Sequence, residues 1–244
     1  GKYPMECINM LNKLIKHVIE NVDFNTLSER DAKLILHLDK SNYLSSLSYS
    51  ALVKPHGGVL VNRMVDVPSS ANYLESLPKI QLSEFQQMDA EQIGIGTFSP
   101  LEGFMGEKDF RAVLDGLRLA NGLVWPLPIV LDVDQTQASK LTVGADIGLT
   151  DNRGEVMAIL HLAEKYGFDE KELSLKLYGT EDKEHPGVKI IMTMNPVLLG
   201  GKISLLKRRE TETQEYDLTP RQVRKLFVER GWSKVVGFHT RNVI

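Results

Sequence analysis

The chain of 244 residues contains a single cysteine, Cys7, and no long run of apolar residues. One thiol excludes an internal disulfide and a zinc site built from several cysteines, and it fits a reducing, cytoplasmic location. No apolar stretch approaches the roughly 20 residues that a membrane-spanning helix needs. The first residues also lack the basic-then-apolar pattern of a signal peptide. The sequence therefore predicts a protein with no membrane partner.

Neither sign of charge is in large excess. The chain has 29 lysines and arginines against 32 aspartates and glutamates, which gives a formal net charge of −3. This balance provides no general attraction to nucleic acid or to anionic lipid. Hydrophobic residues make up 42% and charged residues 25%, as in globular proteins, and the length is enough for one large or two small domains.

Residues 1–48 are predicted to form a helical segment and a linker. Apolar residues recur at helical spacing over residues 4–22, and Pro4 suits a first helical turn. The opening Gly1-Lys2-Tyr3-Pro4-Met5-Glu6 resembles a segment late in the pyruvate kinase barrel, which would make residues 1–22 a pyruvate kinase-like remnant. A plain amphipathic docking helix explains the same pattern, and both interpretations stay open.

Residues 49–215 are predicted to be one α+β domain, a small irregular β-barrel with helices, because short strands surround occasional helices. Gly57-Gly58 and Gly200-Gly201 are interpreted as turns. Helices are predicted at Glu107–Leu119 and Glu170–Tyr178. Strands are predicted at Val59–Val61, Ile129–Val133, Gly154–Leu162 and Val188–Met194.

Residues 216–244 change pattern. Thr219, Pro220 and Gly231 are typical helix boundaries, so a helix is predicted over Arg221–Arg230, followed by a buried strand over Lys234–Phe238. Helix and strand in this order are how a parallel α/β domain begins, and the ligands of such a domain lie beyond the carboxyl ends of its strands. That end carries His239, Thr240, Arg241 and Asn242.

These four residues offer groups suited to an oxyanion. Arg241 presents a planar fork of donors, and Thr240 and Asn242 add neutral hydrogen-bond partners. Phe238–Val243 resembles the Phe-Gln-Thr-Arg-Asn-Pro signature of the ATP sulfurylase (sulfate adenylyltransferase) family. Further family-like segments occur in the same order, so the resemblance covers residues 51–244; they include Pro55–Leu60, Gly96–Met105, Trp125–Ile129, Tyr178–Thr180, His185–Val188 and Leu199–Gly201.

The resemblance implies a PUA-like domain at residues 49–215 and the first helix and strand of a truncated nucleotidyltransferase domain at residues 216–244. The implied reaction of sulfate assimilation joins ATP and sulfate into adenylyl sulfate and pyrophosphate, with Mg²⁺ accompanying ATP. By the same resemblance, Thr240, Arg241 and Asn242 are catalytic, and His239 and Arg241 bind sulfate. It also makes the Ser99–Met105 turn a candidate contact surface in a homo-oligomer.

Two positions depart from the family pattern. His239 stands where the pattern has Gln, and Val243 stands where it usually has Pro. The family's His-x-x-His pair, which comes after this signature, does not occur within the 244 residues. The expectation is therefore that these residues alone are inactive and bind no cofactor of their own.

Two other functions remain open. PUA-like folds also occur in proteins that modify RNA, so an RNA-binding module is one alternative; its basic clusters would be Lys207–Arg209 and Arg221 with Arg224 and Lys225, but neither is interleaved with aromatic residues. The other alternative is a regulatory appendix of a pyruvate kinase-like fusion protein. His56 is expected to be a structural histidine, and Asp132 and Asp134 to lie on a solvated face.

Overall fold

The computed structural model describes residues 52–67, 71–214, 216–232 and 234–238. The helix predicted over residues 4–22 and the linker after it lie outside these residues. Strands and helices are mixed along the described chain, which confirms the α+β class. The helices are α1 Ala71–Ser76, α2 Glu84–Ile95, α3 Glu107–Gly116, α4 Gln135–Lys140, α5 Glu170–Tyr178, α6 Pro186–Ile191 and α7 Pro220–Glu229.

One mixed sheet organises the described residues. Its strands are β1 Lys79–Gln81, β2 Gly103–Phe104, β3 Leu131–Val133, β4 Asp146–Thr150, β5 Val156–Gly167 and β6 Val197–Leu205. The order is β1-β4-β5-β6-β2, and β3 also pairs with β6. β1 runs parallel to β4, and all the other pairs are antiparallel. The long β5–β6 pair forms the centre of the sheet and carries the short strands on either side.

The sheet is open and does not close into a barrel within the described residues. β1 ends the order on one side, and β2 and β3 share the far edge of β6 on the other. Closing a barrel requires tilted strands long enough to reach round to the first one. Strands of two or three residues, such as β1, β2 and β3, are too short to do this.

The main core lies between α2 and the sheet. Met157–Leu160 on β5 is buried on both faces of its strand, and Ala90 and Ile93 of α2 are fully buried in the same cluster. α2 itself is fixed by a capping box between Ser83 and Gln86. A second cluster joins α3, α5 and α6 through Phe110, Leu173 and Ile191. Burial of apolar side chains in these two clusters stabilises the part of the fold from which the connection to α7 leaves.

The strand predicted over Val188–Met194 is wrong, because this segment forms α6. His185 is the N-cap and accepts a hydrogen bond from the backbone N–H of Gly187, while Pro186 occupies the first helical turn. These helix-start residues outweigh the β-branched character of Val188, Ile190 and Ile191.

The turn predicted at Gly200-Gly201 is also wrong, because both residues lie inside β6. A Cβ on Gly201 would lie 2.2 Å from the carbonyl oxygen of His161, and one on Gly103 would lie 1.9 Å from the carbonyl oxygen of Gly201. These glycines are therefore needed for the close approach of β2, β5 and β6. Gly57-Gly58 is a turn as predicted, with φ values of 75° and 87°.

Val59–Val61 forms no strand, although it was predicted as one. The nearby chain makes only an isolated parallel bridge from Met64 to Leu205, and Val59 is 67% exposed. Ile129–Val133 and Gly154–Leu162 were correctly predicted as strands, observed as β3 and β5. In the part of the chain that the structure describes, no helix has the length and hydropathy required to cross a membrane.

Candidate functional site

The four predicted site residues, His239 to Asn242, lie outside the described residues. Their roles in catalysis and sulfate binding therefore stay predictions. The structure does describe the segments that lead to them, which are the connection from β6, helix α7 and residues 234–238. How these segments are held determines where the predicted site can lie.

Helix α7 begins where the sequence predicts. Thr219 is its N-cap and Pro220 its first residue. The backbone N–H of Thr219 donates to Gln222 Oε1 at 2.8 Å, and the backbone N–H of Gln222 donates to Thr219 Oγ1 at 3.3 Å, which completes a capping box. Such a reciprocal cap fixes the start of the helix to within a residue.

The apolar side of α7 is only half-buried. Val223, Leu226 and Phe227 recur at helical spacing, yet no residue of the helix is buried among the described residues. An amphipathic helix of this kind normally packs its apolar stripe against another element.

Lys234–Phe238 is not a strand, and its prediction as a buried strand is wrong. Val236 is 94% exposed and Phe238 is 82% exposed. A strand needs a hydrogen-bonded neighbour, and no described strand lies beside these residues to provide one.

A buried carboxylate anchors the connection from β6 to α7. The side chain of Glu91 on α2 is 1% exposed, and it accepts hydrogen bonds from Arg208 Nε at 2.7 Å and from Arg209 Nε at 2.9 Å. Arg208 also donates to the backbone oxygen of Asp217 at 2.9 Å and to its carboxylate at 2.5 Å. Two guanidinium groups neutralise the buried charge, because a lone carboxylate at this depth would be strongly destabilising.

Lys207 and Arg153 are paired in the same region. Lys207 bonds to the carboxylates of Asp151 and Glu155, and Arg153 forms an ion pair with Glu210 at 3.0 Å. Burial lowers the pKa of Lys207, but the hydrogen bonds to the two carboxylates outweigh it, so the net shift is upward. The predicted basic cluster Lys207–Arg209 is therefore neutralised by acidic neighbours and is not an open cationic surface.

A chain of hydrogen bonds crosses the outer face of the sheet. His161 Nδ1 lies 2.6 Å from Asp146 Oδ1, and His161 Nε2 lies 2.8 Å from Ser204 Oγ. Tyr73 on α1 donates to Asp146 Oδ2 at 2.5 Å. His161 carries no local sequence signal for this arrangement, because its partners are 15 and 43 residues away and come together only through the register of β4, β5 and β6.

Serine, histidine and aspartate in this order are the groups of a nucleophilic triad. A triad also needs backbone N–H donors for the developing oxyanion. The N–H groups on either side of Ser204 are engaged instead, from Ile203 to Glu102 and from Leu205 to Arg63. We therefore assign the chain of hydrogen bonds a structural role, which is to tie α1 to three strands.

The Ser99–Met105 turn is mainly core. Ser99 Oγ donates to the carbonyl of Gly96 and accepts from the N–H of Val61, and Leu101, Phe104 and Met105 are all at most 6% exposed. Beside the turn lies a cavity of about 460 Å³, whose charged lining includes Glu102 paired with Lys202. Burial of the turn leaves few of its side chains for contact with another chain.

Other polar residues have structural partners. His56 Nε2 lies 2.8 Å from the carbonyl oxygen of Val124, which confirms it as a structural histidine. Asp132 accepts hydrogen bonds from Gln86 and Asn195, and Asp134 is the N-cap of α4, so both do more than face solvent. The described residues contain no group of three or more histidine, cysteine or acidic side chains placed to hold a metal ion.

Family models match two successive parts of the chain. A PUA-like domain model matches residues 53–208, which is more than half of the chain. The chain belongs to the PUA-like domain family. An ATP-sulfurylase model then matches residues 214–244. The predicted resemblance to ATP sulfurylase, with its PUA-like domain followed by the start of a second region, is thereby confirmed.

Two curated relatives of this PUA-like chain are named sulfate adenylyltransferase. The chain is 42% identical over 195 residues to a sulfate adenylyltransferase of Symbiobacterium thermophilum, an alignment that covers 79% of this chain and 50% of the relative. It is 41% identical over 191 residues to one of Cenarchaeum symbiosum, covering 78% of this chain and 49% of the relative. The chain thus spans about half the length of the curated relatives it matches.

A solved structure shares the fold. The hexameric APS kinase from Thiobacillus denitrificans superposes with a TM-score of 0.56 at 27% sequence identity, covering 74% of this chain and 32% of that one. This chain and part of the kinase chain are therefore similar in three-dimensional arrangement as well as in sequence.

Proposed function

We propose that this chain supplies the PUA-like domain and the first part of the catalytic domain of a sulfate adenylyltransferase. The reaction would join ATP and sulfate into adenylyl sulfate and pyrophosphate. The observation that carries the proposal is the order of the two family matches, PUA-like at residues 53–208 and ATP-sulfurylase at residues 214–244, within relatives that share this name. The domain boundaries near residues 48 and 215 that the sequence predicts form part of this proposal.

Sulfate is a poor nucleophile, so catalysis depends on positioning and on stabilising charge. In our proposal Arg241 and His239 hold the sulfate, while Thr240 and Asn242 contact the reacting phosphate. Mg²⁺ would accompany ATP and offset the charge of its phosphates. We assign it no ligand among the described residues, because they contain no suitable cluster.

Substitution of Arg241 tests the proposal. In the complete gene product that contains these residues, Arg241→Ala should lower sulfate-dependent pyrophosphate release by roughly 10²–10³-fold, the usual cost of an aimed donor to a developing charge. Lys225→Ala is the control, because Lys225 is exposed on α7 and its ion-pair partner among the described residues is Glu229, on the same helix. Absence of sulfate-dependent release from the unsubstituted product would reject the proposed function.

The histidine at position 239 leads us to expect that sulfate binding depends on pH. An imidazolium adds attraction to a dianion, so sulfate affinity of the complete product should rise as the pH falls below about 6.5, the reference value for histidine. His239→Gln, which restores the usual family residue, should remove this rise. Sulfate affinity measured by calorimetry between pH 8 and 5.5 checks it, and a flat profile for the unsubstituted protein contradicts the role of His239.

An RNA-binding module is less well supported. Membership of the PUA-like family permits it, but Lys207, Arg208 and Arg209 are each engaged by carboxylates, which leaves little of that cluster for phosphates. We also propose a homo-oligomer and a cytoplasmic location. The first is supported by the hexameric kinase that shares the fold, and the second by the single cysteine. The pyruvate kinase-like remnant at residues 1–22 stays a prediction outside the described residues.

A further inference from the structure

Arg208 lies at the end of the first matched region, close to the start of the second. It is the last residue of the PUA-like match, and its side chain is 14% exposed. One side of its guanidinium holds Glu91 on α2, and the other holds both the carbonyl and the carboxylate of Asp217, inside the ATP-sulfurylase match. A single fork of donors thus spans an anchored core helix and the second region.

The contact between Arg208 and Asp217 matters because of where Asp217 lies in the chain. Asp217 lies two residues before Thr219, the N-cap of α7. Holding the backbone of Asp217 therefore fixes where α7 starts against α2, and α7 leads to residues 239–242. The half-buried face of α7 makes this polar anchor more important, because apolar packing of the helix among the described residues is incomplete.

Arg209 provides a natural comparison. It is adjacent, is of the same type and also donates through Nε to Glu91, but it makes no hydrogen bond or ion pair with Asp217. Both arginines neutralise Glu91, and only Arg208 reaches forward to α7. If either arginine is replaced by lysine, the other arginine still bonds to the buried carboxylate of Glu91.

We propose that Arg208 is a positioning residue, which bridges Glu91 and Asp217 and thereby sets the start of α7 and the approach to the predicted sulfate site. The effect on catalysis rests on the proposed function; the effect on α7 does not. Arginine is suited to the bridge because its planar fork serves two acceptors at once, which the single ammonium of lysine does poorly.

Hydrogen exchange of the 244-residue chain tests the bridge. Arg208→Lys should speed exchange of the α7 backbone amides by about tenfold or more, since hydrogen bonds to charged groups contribute about 1.5–3 kcal/mol. Arg209→Lys should leave α7 exchange within about twofold of the unsubstituted chain, since it removes no bond to the start of α7. Equal exchange of α7 in the two variants would overturn the proposal.

Asp217→Ala provides a second variant that keeps Glu91 paired. Arg208 keeps its bond to Glu91 after the loss of the Asp217 carboxylate, so no charged group loses all its partners. The substitution should speed α7 exchange in the same way but less, because Arg208 still bonds to the backbone carbonyl. Combining it with Arg208→Lys should add little to Arg208→Lys alone, since both act on one bridge. Full additivity of the two effects would contradict a shared contact.

Kinetics of the complete gene product separate positioning from simple stability. Arg208→Lys should lower kcat for pyrophosphate release while the KM for ATP changes little, and Arg209→Lys should lower neither. Unchanged kcat in Arg208→Lys alongside faster α7 exchange would remove the catalytic half of the proposal. Absence of activity in the unsubstituted product would reject the proposed function and leave the exchange result standing.

Discussion

At the scale of single residues, Asp89 shows most clearly how burial destabilises the charged form of a carboxylate. It lies on α2, is partly buried, and has no hydrogen bond or ion pair within the described chain. Burial without a partner raises the pKa of Asp89 from 3.8 to about 6. Glu91, two residues further along, is more deeply buried but has two arginines.

The raised pKa gives a stability profile with a definite sign. Between pH 3.8 and about 6 the folded chain binds more protons than the unfolded chain, so stability falls as pH rises through this window. Asp89→Asn should therefore stabilise the chain by about 1–2 kcal/mol above pH 6, after allowance for partial exposure, and by much less at pH 4.

Urea unfolding at pH 4 and pH 7.5 measures this difference. Asp66→Asn is the control, because Asp66 is exposed and its substitution should change stability little at either pH. A gain from Asp89→Asn that is the same at both pH values would show that the charge is not its cause.

At the scale of elements, local signals predicted some boundaries and misled at others. α5 and α7 were predicted to within a residue, because Asp169 and Thr219 cap them with their own side chains. β6 was missed because Gly200-Gly201 is typical of a turn, and its glycines are explained only by the backbone of β2 and β5 beside them. Short-range chemistry is readable from the sequence, whereas contacts across the sheet are not.

The candidate site shows the same limit. The motif at residues 238–243 and the cap at Thr219 are local and were found in the sequence. The bridge through Arg208 was not, since Glu91 lies 117 residues before it and the two meet only after α2 packs on the sheet. The cluster Lys207–Arg209 was named as a possible RNA-binding surface, but the fold gives all three side chains acidic partners.

The hydrogen bonds from Tyr73 and His161 to Asp146, which connect α1 to the sheet, predict a pH dependence of stability. Burial raises the pKa of Asp146, but hydrogen bonds from Tyr73 and His161 outweigh it and lower the pKa overall. A lowered pKa contributes stability that is fully present above the ordinary value and is lost as the pH falls from there through the lowered, folded-state value. Tyr73→Phe should therefore lower the melting temperature at pH 7, and the difference from the unsubstituted chain should shrink at pH 3.

Thermal unfolding from pH 3 to pH 7 checks this prediction. Tyr178→Phe is the matched control, because the Tyr178 hydroxyl makes no hydrogen bond within the described residues, so its removal should have little effect at any pH. A deficit in Tyr73→Phe that is as large at pH 3 as at pH 7 would show that the hydroxyl does not act through the charge of Asp146.

At the scale of the whole molecule, charge pairing rather than net charge decides what the surface attracts. The chain has a formal net charge of only −3, and this near balance of positive and negative charges does not exclude a local basic patch. The structure removes the best candidate, since Asp151 and Glu155 hold Lys207 while Glu91 holds Arg208 and Arg209. Together with Asp217, which also bonds to Arg208, these carboxylates offset positive charges that would otherwise release counterions from a nucleic acid.

The chain should therefore bind RNA only weakly. Filter binding of labelled RNA at about 150 mM salt should give a dissociation constant no tighter than the range of about 10⁻⁴–10⁻⁶ M that is typical of non-specific contacts. A double variant, Asp151→Asn with Glu155→Gln, frees Lys207 and should strengthen binding at about 50 mM salt more than at about 200 mM. Tight binding by the unsubstituted chain, weakened steeply by added salt, would favour the RNA-binding module over the sulfurylase domain.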